Sequence, residues 1–351
     1  MSWENVAGIS KFQIWAEPSS SSEGDETFLF VNGNHQVQIS VGLSLALWDT
    51  AATGPTLEEV KSALTLVNNN DGGSLNHLVT GSKGNYVSIY DPGHVNATQV
   101  AETDFQYEVN YYLSSNTTIN ANIASEEVSV KIAYTNSDGT FITDMSQQGE
   151  YSVKDYVKVT CYAEKKYGLS GSNKTEIILS EDDNSPEHSF HQSSDYKTDD
   201  ASLWLYRLVI SDSYFKIVDI NYGENQKIYG NIQTLAYGYD QSSAAMWMYT
   251  ASVFCPTLLY GVGQKNISDT YQYSVGSVDT IYVQYECVQH NNEIILLAAE
   301  IDIKRSDSIT GHSSSKGGLN FHDQFGNEIK VTFNYDYVDD HKLIPHLDAI
   351  N

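Results

Sequence analysis

Arginine is almost missing from this chain. Arg207 and Arg305 are the only two in 351 residues, and the rest of the positive charge is lysine. Arginine is the usual bidentate clamp for phosphate and carboxylate, so a site assembled from several such clamps is excluded. Bases are scarce altogether: 19 Lys and Arg stand against 45 Asp and Glu, a formal charge of −26. Nucleic acid and anionic membranes both reward positive surface, so neither is expected as the main partner. Cysteine is sparse too. Cys161, Cys255 and Cys287 are an odd number and too few for a disulfide framework. No CxxC pair occurs, which excludes a zinc ribbon and a thioredoxin-like site. Three buried or half-buried thiols are expected, with one disulfide plus a free thiol as the alternative.

Long apolar runs are also lacking. Gln241 to Gln264 holds no charged residue, yet Ser242, Ser243, Thr250, Ser252, Pro256 and Thr257 interrupt it. A spanning helix needs about 18 or more apolar residues, so no permanent membrane span is expected. The amino terminus has no basic stretch followed by an apolar one, so no secretory signal is expected there, and any export would be signal-independent. Sequons at Asn96, Asn116, Asn173 and Asn266 carry little weight in a chain so rich in Asn, Ser and Thr. No GxSxG elbow, GxxxxGK[ST] loop, GxGxxG turn or HExxH pair occurs. These gaps argue against an α/β-hydrolase, an NTPase, a Rossmann enzyme and a zincin.

What the chain does contain is alternation with a period of two. In Val37 to Leu47 large apolar residues alternate with small or polar ones, as in a strand with one face on a core. The pattern recurs at Val128–Tyr134, Val157–Cys161, Leu203–Ile210 and Ile281–Cys287. Turn signals follow several of these runs. Asn136-Ser137-Asp138-Gly139 and Phe325-Gly326-Asn327 each predict a hairpin, and so does Asn291-Asn292 between Cys287 and Ile294. One helix signal stands out: Thr56 and Glu59 have capping-box spacing, and Leu57, Val60 and Leu64 form a single stripe down to about Thr65. The 25 tyrosines and the many Val, Ile, Thr and Asn residues suit strands and turns.

The predicted class is therefore all-β: two antiparallel β-sandwich-like domains with one short decorating helix near residues 56–65. Glu181 to Asp200 carries seven acids against one base, with Pro186 in its middle, and reads as a solvated linker. The expected division is an N-terminal domain over 1–166, an acidic linker or long loop over 167–200, and a C-terminal β-rich domain over 201–351. Within the linker, Thr175 to Ser180 is expected to form one isolated strand.

Candidate chemistry is thin, and no cofactor is called for. Glu187-His188-Ser189-Phe190-His191 offers two imidazoles beside a carboxylate, a zinc-like donor set; on a strand, however, His188 and His191 fall on opposite faces. Asp182-Asp183-Asn184 offers hard oxygen ligands for calcium without the ordered spacing of an EF-hand. The bland alternative for both is a solvated loop. Aromatic residues are the other resource, because Tyr and Trp stack on sugars and dominate interfaces. Trp48, Tyr86, Tyr90, Tyr111, Tyr112, Tyr237, Tyr239, Trp247 and Tyr249 are the candidates, with Tyr237-Gly238-Tyr239-Asp240 the most loop-like. The binding residues expected are Tyr237, Tyr239, Trp247 and Tyr249. Ile228 to Val278 holds only Asp240, Lys265 and Asp269 as charges. It reads as two central sandwich strands, or as a hairpin able to enter a bilayer after oligomerisation.

Three functions fit. The first is non-enzymatic recognition of a glycan or host cell-surface protein, in the manner of an adhesin, lectin or toxin. The second is a self-assembling fibre, tail or inclusion component, a homo-oligomer whose strand edges pair between copies. The third is a polysaccharide hydrolase using two carboxylates.

Overall fold

The computed structural model describes residues 2–17, 26–51, 53–92, 104–116, 123–145, 156–172, 174–181, 187–192, 198–221, 246–254, 265–275, 279–290, 292–305, 317–338 and 342–350. The chain forms two compact units. One comprises Met1–Lys165 together with Gln324–Asn327; the other comprises Lys166–Asp323 and Glu328–Asn351.

The first unit opens with a short 3-10 turn at Ser2–Asn5. Then come β1 (Val6–Glu17), β2 (Glu26–Val31), β3 (Gln36–Leu47) and helix α1 (Leu57–Ala63). They are followed by β4 (Leu64–Asn68), β5 (Leu78–Gly81), β6 (Tyr107–Ser115), β7 (Ile123–Thr135), β8 (Phe141–Met145) and β9 (Val157–Ala163). One sheet has the order β1-β3-β6-β5 and the other β2-β9-β7-β4, with β8 paired to β7. Their inner faces share one core. Phe12, Ile14, Ile39, Val41, Leu43 and Leu113 come from the first sheet; Leu29, Val130, Ile132, Val157 and Val159 come from the second. Each large apolar side chain buried this way stabilises the fold by about 1.5–3 kcal/mol, and the period-two pattern is what aims them at one another. The small residues between them matter as well. Gly42 leaves room for the Phe105 ring, which stacks on Trp15 at 5.5 Å between centroids and covers the outer face of β3.

The helix begins as its sequence predicts. Thr56 is the N-cap, and the reciprocal capping box with Glu59 is formed. It ends two residues early, because Leu64 turns extended and starts β4, where Leu64 and Leu66 alternate into the core.

The second unit contains β10 (Tyr167–Gly168), β11 (Thr175–Glu181), β12 (Glu187–Gln192), β13 (Thr198–Ile210) and β14 (Ile217–Asn221). It continues with β15 (Met246–Phe254), β16 (Lys265–Val275), β17 (Asp279–Gln289) and β18 (Glu293–Arg305). β19 (Gly317–Asp323), β20 (Glu328–Val338) and β21 (Lys342–Ile350) complete it. The sheet orders are β10-β11-β13-β18-β15, β12-β17-β16 and β14-β19-β20-β21. Strand β11 is not isolated; it pairs with β13.

The class the fold defines is all-β, mostly antiparallel. Two pairs depart from that rule: β2 runs parallel to β9, and β10 to β11. The turns at Asn136–Gly139 and Phe325–Asn327 do close hairpins, β7–β8 and β19–β20, with Gly139 and Gly326 at φ +72° and +71°. The third predicted hairpin is corrected. Asn292 takes φ 62°, as an Asn turn requires, but β17 and β18 belong to different sheets. Buried Glu293 explains the corner: its carboxylate accepts the His290 backbone N–H and the Arg207 guanidinium, which also donates to the Val288 carbonyl. One of the two arginines is thus consumed in holding a bend.

Candidate functional site: one end of the first sandwich

The two ends of the first sandwich differ. Strand register puts Val6, Leu47, Tyr134 and Phe141 at one end and Val31, Asn68, Ser115 and Ile123 at the other.

The second of these ends is closed by its own contacts. Buried Glu126 accepts the Asn76 and His77 backbone N–H groups at 2.6 and 2.9 Å and the Asn68 amide at 2.9 Å, tying down the β4–β5 loop. Nearby, Asn32 donates to the Phe325 carbonyl and to Asn327 Oδ1, and accepts the N–H groups of Asn34 and His35. Phe325, 1% exposed, lies against Phe30, His35 and Tyr90. His35 is fully buried; its Nδ1 accepts the Phe30 N–H, and Nε2 lies 2.7 Å from the Ser88 carbonyl, which fixes the proton on Nε2. Burial pulls its pKa down to about 4, only partly opposed by the Ser88 bond. Cys161 is likewise sealed in. Burial, with the charge of Glu126 adding to it, pushes its thiol up to about 12. A thiol held protonated is no nucleophile, and this His is a structural one.

The opposite end is open and aromatic. Trp48 and Phe141, 66% and 67% exposed, are the most exposed large apolar residues among those described, and both lie here. Leu57, the first residue of α1, is exposed as well. The register links these positions. Trp48 donates its N–H to Asn5, Trp3 of the same 3-10 turn stacks on Tyr134 at 4.7 Å, and Thr135 pairs with Phe141. Trp48 is held firmly at its base: Asn5 and Asp49 exchange amide and backbone bonds at 2.8 and 3.0 Å in addition to the Trp48 N–H bond. Asp49, Glu58 and Asp138 are exposed, the first next to Trp48 in sequence and the last three residues before Phe141. An apolar ring costs free energy in water, so two exposed rings at one sandwich end offer a contact surface.

The residues singled out from sequence distribute differently. Tyr237, Tyr239, Asp182 and Asp183 lie outside the described residues. Trp247 and Tyr249 are in β15, in register with Lys304 and Asp302 of β18. His188 and His191 are in β12, opposite Tyr285 and Tyr282, at strand positions of opposite parity. Among the described residues no group of three His, Cys, Asp or Glu side chains is placed to hold a metal, and no helix is long and apolar enough to cross a membrane. Among the described residues, β15 pairs with β18 and β16 with β17, each at the end of its sheet. Of the surface aromatics whose exposure the structure describes, Trp48 is the most open. Phe141 was missed, although its place directly after the Asn136–Gly139 turn marks it as a hairpin-tip residue. Comparison with protein-family models, with curated proteins and with solved structures returned no match.

Proposed function

We propose that the chain is a non-enzymatic recognition protein whose first sandwich binds a neutral glycan through the end carrying Trp48 and Phe141. The observation that carries this reading is the contrast between the two ends. One spends its polar groups internally, while the other exposes two aromatic rings, with the exposed acids Asp49 and Asp138 close to them in sequence. Ring faces stack on the C–H faces of sugars, and Asp and Asn side chains accept and donate to their hydroxyls. The surrounding acids and the charge of −26 disfavour sialylated or sulfated ligands.

A glycan array with the whole chain, followed by titration of tryptophan fluorescence, tests it. Binding is expected to neutral glycans, weakened at least tenfold by Trp48→Ala or Phe141→Ala. A blank array at high protein concentration, or binding indifferent to both substitutions, overturns it.

A further inference from the structure

The closed end of the first sandwich depends on a side chain that water can destroy. Asn32 is followed by Gly33, the single Asn-Gly pair in the chain. Glycine has no side chain to shield its backbone nitrogen, and that nitrogen can attack the carboxamide carbon of a preceding asparagine. Gly33 is exposed, takes φ +77°, and its N–H finds no acceptor among the described residues. The nucleophile is therefore open. The carboxamide is not. Asn32 Oδ1 accepts the N–H groups of Asn34 and His35 at 2.9 and 2.8 Å, while Nδ2 donates to the Phe325 carbonyl and to Asn327 Oδ1, both at 2.9 Å. An amide offers two donor and two acceptor positions, and all four are filled. Turning Cγ toward the Gly33 nitrogen breaks several of these bonds at once, so the reaction waits until residues 325–327 lift away.

We infer that Asn32 is a deamidation site gated by the clip at residues 324–327, and that its conversion releases the clip irreversibly. In the step itself the Gly33 nitrogen gives its proton to hydroxide and bonds to Asn32 Cγ. The Cγ–Nδ2 bond breaks, and that nitrogen leaves as ammonia with a proton taken from water. Water then opens the resulting five-membered imide at one of its two carbonyls, leaving aspartate or isoaspartate. The sum is carboxamide plus water to carboxylate plus ammonium, with nothing oxidised or reduced. Either product has lost both donors, and its carboxylate would face the Phe325 carbonyl and Asn327 Oδ1, two oxygens it cannot bond. Asn327 gains nothing by turning its own amide, because its Oδ1 also accepts the Lys165 N–H. Phe325 thereby loses its tether to Asn32, which loosens its packing on Phe30, His35 and Tyr90.

The test ages the full chain and a synthetic peptide of residues 28–38 in mildly alkaline buffer, and follows Asn32 by mass spectrometry for the carboxylate product and for isoaspartate. The folded chain is expected to react at least about tenfold more slowly than the peptide, since only molecules with an open clip can react. Asn34→Ala removes the bond from Asn34 Nδ2 to the Gly326 carbonyl, made at 3.1 Å by an exposed residue. It should speed the reaction about threefold in the protein, the size of one lost hydrogen bond, and leave the peptide's rate alone. Converted protein, separated by ion exchange, should show fast amide exchange at residues 325–327 while the sandwich core stays slow. Reaction of the folded chain at the peptide's rate overturns the proposal, and so does a rate indifferent to Asn34→Ala. Converted protein whose residues 325–327 exchange as slowly as before overturns it too. So does an Asn32 that stays intact for weeks in both proteins, because the clip then never opens.

Discussion

His35 and Phe30 share one hydrogen bond that the fold cannot easily replace: Nδ1 of the buried imidazole accepts the Phe30 backbone N–H at 2.9 Å. An imidazolium has no acceptor, so protonation destroys the bond and leaves a charge among aromatic rings. The folded-state pKa of about 4 lies below the ordinary imidazole value of 6.5, and the folded chain therefore binds protons less readily than the unfolded one. Stability from this group is complete above about pH 6.5 and is lost as pH falls toward 4. The full loss amounts to about 3 kcal/mol. Urea denaturation between pH 4 and 8 measures it. His35→Leu should remove that part of the acid slope while lowering stability at neutral pH, since Phe30 N–H and the Ser88 carbonyl lose a partner.

Asn32 is the hub that holds residues 324–327 in the first unit. Asn32→Ala removes two donated and two accepted hydrogen bonds at once, and is expected to cost about 2–4 kcal/mol. Asn32→Asp keeps the acceptor for Asn34 and His35 but loses both donors, so exchange at residues 325–327 should quicken while that at His35 stays slow. Gly326→Ala should be as harmful as Asn32→Ala. Its φ is +71°, and an added Cβ would come within 2.6 Å of Asn34 Cβ and 2.9 Å of the Tyr86 ring.

Cys161 should resist alkylation. With its thiol held near 12 by burial and by the Glu126 charge, iodoacetamide at pH 8 is expected to leave it unmodified until the first unit unfolds. Mass spectrometry of the tryptic peptide across a denaturant series reads this directly. Labelling as fast as a free thiol in the native protein would contradict the structure.

Trp48→Ala and Phe141→Ala should leave thermal stability nearly unchanged, within about 0.5 kcal/mol, because side chains so exposed bury little area. A larger loss would mean that the rings support the fold and are not free for a ligand.

Local signals were readable wherever the deciding partner was close in sequence. The Thr56–Glu59 capping box, the Val37–Leu47 alternation and the Asn136–Gly139 hairpin all depend on neighbours within one element or one turn. Partners hundreds of residues away were not readable. Val31-Asn32-Gly33-Asn34 and His290-Asn291-Asn292-Glu293 look like hairpin turns, yet each lies between strands of different sheets. In both, a side-chain oxygen holds the bend: Asn32 Oδ1 accepts two of its backbone N–H groups in one, and the Glu293 carboxylate accepts the His290 N–H in the other. Turn chemistry fixes that the chain bends; the strands awaiting it downstream decide where it goes. The aromatic end was half visible. Trp48 could be named from composition, but nothing local shows that Tyr134 and Trp3 bring Phe141 to the same end.

Because Gln324–Asn327 belongs to the first unit, that unit is not finished when residue 165 leaves the ribosome. Its last piece is translated some 160 residues later, so the emerging sandwich must wait with Asn32 unanswered and the ring cluster missing Phe325. A fragment ending at Lys165 should therefore be a poor surrogate for the intact protein, and a short peptide spanning 320–330 should improve it when supplied separately.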